Sequence, residues 1–277
     1  MIESTSVEKS LSDNEFTYVC KFRAINENLL NLLPNLEIYI PTVAQLNDPL
    51  EGALLEGFSL SLDHLPNLER YQTENSIEAH FSALSVYRES IADYLQKVGV
   101  YSVSIHRKRW HASNFLPMWA SYANEHKGVC MVFKRKPLTD ERFKWVKVNY
   151  VTHPHNYSGS HPQHFLPDAF TQDFFANAQL KLSKKYDYWR HEHELRLIAQ
   201  PGYTGHQAMD QFFDLHALVF GFNTNTEDVL KLLNKLPDEA KHKLMNSEDA
   251  GIYQVVKPDS LFTIRPLKNM RQLLKLA

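Results

Sequence analysis

Two glutamates and an arginine carry the clearest chemical signal in this sequence. Glu192, Glu194 and Arg196 alternate along residues 192–199, a segment whose composition predicts a strand. Side chains two apart on a strand share a face, so the two carboxylates are expected side by side, next to the guanidinium. Such carboxylates repel, and the pKa of one rises unless Arg196 or a bound cation offsets the repulsion. The pattern fits either a site glutamate or a structural charge ladder along the strand.

Paired histidines raise the question of a metal site. His153 and His155 are two residues apart, as are His191 and His193, and a His-x-His pair on a strand can hold one metal ion. However, the second pair lacks the helical spacing of a metalloprotease motif. The loop histidines, within residues 153–164, have no carboxylate in the same segment to orient their imidazoles. We therefore expect no metal.

Basic and aromatic residues on the first two predicted strands could bind a ligand. Lys21 and Arg23 alternate along the predicted strand 16–23, and they could hold phosphate or ribose oxygens, the arginine through two parallel hydrogen bonds. They could equally face solvent or pair with the glutamates. Tyr39, on the predicted strand 36–40, could stack on a flat ring or belong to the core or its rim.

A loop and a helix face could likewise either bind a ligand or only stabilise the fold. Asn47 and Asp48 lie in a turn-rich loop, where they could contact a ligand or only stabilise the turn through their own backbone. Trp119, Tyr122 and His126 share one face of a predicted helix because they are three or four residues apart. Core packing explains that face, although the polar ends of the tyrosine and the histidine could line a cleft.

The elements that must position these residues alternate irregularly between strand and helix. Strands are predicted at 16–23, 36–40, 100–105, 129–133, 145–151, 192–199, 215–222, 252–256 and 261–264. Helices are predicted at 26–33, 65–98, 115–125, 168–186 and 226–236, and after residue 266. No glycine-rich turn follows a predicted strand, which argues against a Rossmann or P-loop site. We expect an α+β fold with a mixed or antiparallel sheet core, flanking helices and a helical insertion.

Domain organisation and composition limit the function further. Residues 1–14 are predicted to be a flexible tail, and residues 15–277 a single domain with its helical insertion at about 53–98. With 30 basic and 32 acidic side chains, the net charge of −2 provides no general attraction for nucleic acid. Cys20 and Cys130 lie in apolar segments, as buried thiols do. No secretory leader or membrane-spanning run is visible, so we expect a cytoplasmic protein.

Four segments, in this order, carry a resemblance to a known family. They are Lys21-Phe22-Arg23, then Asn47-Asp48-Pro49-Leu50-Glu51, then Met118–Ala123 with His126–Cys130, and finally Trp189 with Glu192, Glu194, Leu195 and Arg196. Together they resemble the bacterial family called domain of unknown function 2971. One departure is Leu50, where the family usually has Phe. Residues 53–98 match the family poorly, so their role is open.

That resemblance implies a more distant likeness to ADP-ribosyltransferase-type folds. In those folds a polar residue on the first strand, an aromatic or small residue on a later strand, and a glutamate on a strand further along contact NAD. Lys21 or Arg23, Tyr39, and Glu192 or Glu194 occur in this order. On this analogy the glutamate binds a ribose hydroxyl and stabilises an oxocarbenium-like state as nicotinamide leaves.

The leading hypothesis is therefore an NAD-dependent ADP-ribosyltransferase-like enzyme, acting as a defence effector or toxin in bacteria. The alternative is a non-catalytic ligand-binding or sensor domain, and the third is a metal-dependent nuclease. Its partners would be a nucleotide or other small molecule, with a protein or nucleic acid as acceptor and no membrane. The predicted catalytic residues are Glu192 and Glu194; the predicted NAD-binding residues are Lys21, Arg23, Tyr39, Asn47, Asp48, Trp119, Tyr122 and Arg196.

Overall fold

A computed structural model describes residues 18–46, 93–105, 116–152, 174–246, 251–256 and 263–267. The strands are β1 (Tyr18–Arg23), β2 (Glu37–Ile40), β3 (Gly99–Ile105), β4 (Val129–Arg135), β5 (Phe143–Lys147), β6 (Asn149–Val151), β7 (Lys184–Tyr186), β8 (Glu194–Ala199), β9 (Gly205–Ala208), β10 (Phe213–Phe220), β11 (Gly251–Val256) and β12 (Thr263–Pro266). The α-helices are α1 (Glu27–Leu30), α2 (Leu116–Tyr122), α3 (Phe174–Leu182), α4 (Thr226–Lys235) and α5 (Asp238–Asn246). Short 3-10 helices form at Val43–Gln45, Asp187–Glu192 and Met209–Gln211, and residues 93–97 are helical.

Eight strands form one sheet, in the order β12-β11-β10-β4-β1-β3-β8-β5. Every neighbouring pair is antiparallel except β10 and β11, which are parallel. The sheet is therefore mixed, and the predicted α+β class is confirmed. Two smaller sheets pair β2 with β9 and β6 with β7. Among the described residues, no helix is long and apolar enough to cross a bilayer.

One face of the sheet curls around an aromatic core. Phe213 on β10 lies 5.5 Å, between ring centroids, from Trp145 on the edge strand β5, although four strands separate β10 from β5 in the sheet. The right-handed twist of paired strands brings these distant positions together. Phe133 and Tyr101, on strands between them, pack on Phe213 at 4.9 and 5.9 Å. The curled face therefore buries aromatic and aliphatic side chains, which α1, α4 and α5 help to cover.

The opposite face carries the candidate site. There Phe22 of β1 packs edge-on against Trp119 of α2, with their centroids 5.1 Å apart. Helix α3 covers the neighbouring part of this face. Along β8, Leu195 and Leu197 point into the aromatic core, so the alternating Glu194 and Arg196 point to the helix-covered face.

Several elements differ from their sequence predictions. The predicted helix 168–186 is described only from α3 onwards, and its last three residues form the strand β7, which pairs in parallel with β6. The predicted strand 145–151 is two strands, because Val148 leaves the sheet and donates its N–H to the carbonyl of Glu194 at 3.1 Å. The strand β9 was not predicted, since its sequence, Gly-His-Gln-Ala, has low strand propensity.

Other predictions fall largely outside the described residues. These are the tail at 1–14, most of the helical insertion at 53–98, the loop with Asn47 and Asp48, the histidine loop 153–164 and the helix after residue 266. Both cysteines, by contrast, are described, and both are buried free thiols as predicted.

A left-handed turn joins α2 to β4. Asn124, Glu125 and His126 have φ values of 46°, 53° and 68°, an unfavourable conformation for residues other than glycine. The loop after β10 holds this turn, because the amide of Asn223 donates to the carbonyl of His126 at 3.1 Å. Gly221 permits the contact, since a Cβ there would lie 2.0 Å from the oxygen of the same carbonyl.

We expect Gly221→Ala to destabilise the fold by about 3 kcal/mol or more, because the new methyl group would displace the turn backbone. Gly202→Ala is the matched control. Gly202 also has a positive φ, 89°, but a Cβ there has no neighbour within 4 Å, so only about 1 kcal/mol of backbone strain is expected. Urea unfolding of both variants measures the difference, and equal losses would contradict this role of Gly221.

Candidate functional site

A buried lysine lies between the two predicted glutamates. The Nζ atom of Lys185 is 2.6 Å from Oε2 of Glu192 and 3.1 Å from Oε2 of Glu194. All three side chains are less than a tenth exposed. The structure therefore brings the two carboxylates together, and a cation from β7 is what allows them to be buried side by side.

Arg196 completes the pairing of Glu194. Its Nε and Nη2 atoms donate to Oε1 and Oε2 of Glu194 at 2.8 and 3.0 Å, and Nη1 donates to the carbonyl of Leu182 at 2.9 Å. Burial disfavours the charged carboxylate, but Arg196 and Lys185 outweigh this effect and lower the pKa of Glu194 to about 2. Glu194 is therefore ionised at neutral pH, and the expected offset by Arg196 is present.

Glu192 connects the charged residues to the protein surface. Its Oε1 accepts a hydrogen bond of 2.5 Å from the hydroxyl of Tyr122, at the end of α2. Glu192 is 4% exposed, whereas Tyr122 is 36% exposed. Burial, together with the bond to this carboxylate, raises the pKa of Tyr122, so the phenol stays a donor at neutral pH. Of the two buried glutamates, Glu192 is therefore the one that bonds directly to a solvent-exposed side chain.

The backbone around Glu192 corrects the strand prediction. Glu192 ends the 3-10 helix Asp187–Glu192, and His193 adopts a left-handed conformation, φ 45°, before β8 begins at Glu194. The predicted two-residue alternation therefore does not extend to Glu192. Trp189 and Glu192 are three apart in a helix with three residues per turn, so they share a face. The Lys185 ammonium lies over the Trp189 ring, 5.1 Å from its centroid.

The small sheet of β6 and β7 explains how Lys185 reaches both glutamates. Lys185 on β7 is paired directly with Tyr150 on β6. The Tyr150 hydroxyl accepts the backbone N–H of Glu194 at 2.8 Å, and burial raises the pKa of Tyr150 to about 12. Neither Lys185 nor Tyr150 was among the site residues predicted from the sequence. The available signal was the sequence Tyr-Asp-Tyr-Trp after Lys185, whose residues have low helix propensity.

The group formed by Glu192, Glu194, Lys185 and Arg196, with the Tyr122 hydroxyl, is hereafter the glutamate cluster. Its two carboxylates and two cations balance, and each carboxylate oxygen has at least one donor. Glu194 has no proton to donate near neutral pH, because it is ionised, and its low pKa makes it a weak base. Glu192 could bind a ligand hydroxyl if that hydroxyl replaced the one of Tyr122.

Lys21 and Arg23 lie where β1 and β3 separate. These strands pair only at Val19 with Ile105 and at Cys20 with Ser104. Beyond that point, the Nζ atom of Lys21 donates to the carbonyl of Ser102 at 2.6 Å and lies 4.6 Å from the centroid of the Tyr101 ring. Burial, and then Arg23, lower the pKa of Lys21 to about 7 against the attraction of the two glutamates.

Alternation along β1 decides where these two basic side chains point. Cys20 and Phe22 pack on the α2 side of the sheet, so Lys21 and Arg23 point to the other side. The glutamate cluster includes Tyr122 of α2 and therefore lies on the α2 side. Lys21 is within electrostatic range of the cluster without being a member of it.

The structure places the remaining predicted residues elsewhere. Tyr39 lies on the two-stranded sheet of β2 and β9, where its hydroxyl is 3.4 Å from Oε1 of Gln45 and its ring contacts His206. Trp119 is buried against Phe22 and is stacked with His126, whose centroid is 6.5 Å away. Asn47 and Asp48 lie outside the described residues. Within the described ranges, no group of three or more His, Cys, Asp or Glu side chains could hold a metal ion.

The comparison with protein families bears on the segment that holds the cluster. Residues 118–197 match the family described as protein of unknown function (DUF2971). The matched family is the one that the sequence resembles, and the match runs from α2 to β8 and includes Tyr122, Lys185 and both glutamates. No curated protein and no solved structure matches the chain.

Two arginine–carboxylate pairs in this region provide a test of burial. We expect Arg196→Met to cost about 3–5 kcal/mol, because it leaves Glu194 buried with less positive charge. Arg190→Met, the control, breaks an ion pair with Asp187 in which both side chains are largely exposed, and little loss is expected. Urea unfolding compares them, and equal losses would contradict the extra cost expected for the buried pair.

The pKa of Glu194 also predicts how stability depends on pH. Its folded value, about 2, lies below its ordinary value of 4.5, so the unfolded state binds more protons between these values. The stabilisation by Glu194 is therefore complete above pH 4.5 and is lost as the pH falls towards 2. In Glu194→Gln, the free energy of unfolding should fall less steeply over this window than in the wild type. Parallel curves for the two proteins would contradict the low pKa.

Proposed function

We propose that this chain is an NAD-dependent enzyme of the ADP-ribosyltransferase type, with Glu192 as the residue that contacts the ribose. The observation that carries the proposal is the arrangement of the Glu192 carboxylate. One oxygen accepts a hydrogen bond from the buried ammonium of Lys185, and the other accepts one from the hydroxyl of the exposed Tyr122. A carboxylate that binds one hydroxyl can bind a ribose hydroxyl in its place.

The proposed chemistry uses the negative charge of Glu192. When nicotinamide leaves, positive charge develops on the ribose, as in glycoside hydrolysis. A carboxylate held in advance next to that ribose stabilises the charge without reorganising during the reaction. Glu194 and Arg196, both buried, keep Lys185 and the end of β8 in position. Their role in this proposal is to position Glu192 rather than to react.

The molecule that accepts the ADP-ribose is to be identified by experiment. A protein or a nucleic acid could receive the ADP-ribose, and a role as a bacterial defence effector or toxin would follow from such a transfer. Lys21 and Arg23 stay candidates for the NAD phosphates, reached from the opening between β1 and β3 rather than from the glutamate cluster. Tyr39, on the smaller sheet, would need to contact a more distant part of the nucleotide.

A non-catalytic ligand-binding or sensor domain is the second candidate, and one observation favours it. All the carboxylate oxygens of the cluster have donors, and its charges balance. Such a group also serves as a purely structural network in a core. The two candidates therefore differ in whether Glu192 exchanges its hydroxyl partner for a ligand.

Glu192→Gln distinguishes them. Glutamine keeps the size of the side chain and can still accept from Tyr122, but it lacks the negative charge. We expect kcat for nicotinamide release from NAD to fall about a hundredfold or more, while KM changes little. The melting temperature should also fall, because the variant leaves the buried Lys185 with one carboxylate partner, so turnover is measured at a temperature where the variant is folded. Glu227→Gln is the control, because Glu227 is an exposed carboxylate on α4 that also pairs with a lysine.

Two results would contradict the enzymatic proposal. The first is wild-type protein that neither binds NAD nor releases nicotinamide with any protein or nucleic-acid acceptor supplied. The second is a Glu192→Gln variant with unchanged turnover. NAD binding without turnover, weakened in Glu192→Gln, would instead support the sensor domain.

A further inference from the structure

A second group of polar side chains lies on the other face of the sheet. Arg135 ends β4 and Trp145 lies in the edge strand β5, and the guanidinium carbon is 5.6 Å from the centroid of the indole ring. Trp145 is paired with Leu197, which points into the aromatic core. Arg196 and Glu194 point the other way from β8. This second group is therefore separate from the glutamate cluster.

Both side chains bury a hydrogen-bond donor that lacks an acceptor. In the part of the chain that the structure describes, neither Nε of Arg135 nor Nε1 of Trp145 has a hydrogen-bond partner. Burial lowers the pKa of Arg135. A buried donor without an acceptor is unfavourable, and a native structure seldom keeps one unless water, an ion or a ligand completes it. Two such donors in neighbouring side chains indicate one missing acceptor that they share.

We propose that Arg135 and Trp145 bind an oxyanion, a carboxylate or a phosphate group, through these two N–H groups. An indole and a guanidinium can only donate, so the ligand must accept. The positive charge of the half-buried guanidinium selects a negatively charged acceptor, and its planar donors match the oxygens of carboxylate and phosphate. The site does not depend on NAD chemistry at the glutamate cluster.

Arg142 shows the same arrangement with its acceptor present. Its guanidinium lies over the ring of Tyr203 at 4.2 Å, and its Nε donates to both carboxylate oxygens of Asp140 at 2.8 and 2.9 Å. Arg135 has the aromatic contact without the carboxylate. Arg142 is therefore a matched control: an arginine on an aromatic ring whose anion is supplied by the chain itself.

A contact with an aromatic ring does not explain the two donors. Trp145 lies edge-on to Phe213, at 65° and 5.5 Å between centroids. An indole N–H pointing at that ring would be only weakly stabilised. It would also leave Nε of Arg135 without a partner. An oxyanion accounts for both donors.

The test follows the indole N–H signals of the full chain by NMR. The chain has four tryptophans, and the signal of Trp145 is the one lost in Trp145→Phe. Inorganic phosphate and acetate are titrated separately against chloride at constant ionic strength. We expect a saturable shift of the Trp145 signal, while the other indole signals stay in place. A shift with phosphate alone indicates a phosphate ligand, and a shift with acetate alone indicates a carboxylate ligand. A shift with both anions indicates a general oxyanion site.

Variants then assign the donors. Arg135→Lys keeps the charge but removes the Nε donor, and it should weaken the affinity about tenfold or more. Arg142→Lys should leave the affinity unchanged. The unshifted indole signals report whether each variant is folded. The proposal is overturned if neither anion shifts the Trp145 signal saturably in the wild type, or if Arg135→Lys and Arg142→Lys weaken binding equally.

Discussion

The contact of the Lys185 ammonium with two buried carboxylates is the interaction on which the site depends. Without a cation between them, two carboxylates could not be buried next to each other at low cost. The two ion pairs of Lys185 hold β7 against the 3-10 helix, through Glu192, and against β8, through Glu194. Arg196 neutralises the remaining charge, and Tyr122 ties α2 to the same group. The glutamate cluster thus connects three consecutive elements, at residues 184–199, to α2 at the other end of the matched family segment.

The side chains of β8 alternate between an apolar face of the sheet and a face that carries the charged cluster. Leu197 contributes to the aromatic core, where Trp145 and Phe213 meet because the sheet is strongly curled. Glu194 and Arg196 occupy the alternate positions under the helices. Both candidate sites arise from this division. The glutamate cluster has every carboxylate oxygen paired, whereas, among the residues that the structure describes, Nε of Arg135 and Nε1 of Trp145 have no acceptor. In our proposals, the first site exchanges a partner and the second gains one.

The sequence by itself determined the elements whose signals are local. The predicted strands 16–23 and 36–40 and the predicted helix 226–236 correspond to β1, β2 and α4, and the absence of a glycine-rich turn after a strand argued against a Rossmann or P-loop site. The spacing of Glu194 and Arg196 predicted that they share a face of a strand. The four ordered segments were enough to predict the family. Each of these depends on neighbours within a few residues along the chain.

Only the tertiary structure decided which residues complete the sites. Lys185 lies in a segment predicted to be helical, and it becomes a strand residue because β7 pairs with β6, a partner distant along the chain. Glu192 leaves the strand because His193 turns the backbone into the left-handed region. The contact between Arg135 and Trp145 requires the curl of the five strands from β4 to β5. Local propensity does not predict such pairings. Residue types differ in helix or strand propensity by about 1 kcal/mol or less, and burial and long-range hydrogen bonds outweigh these differences.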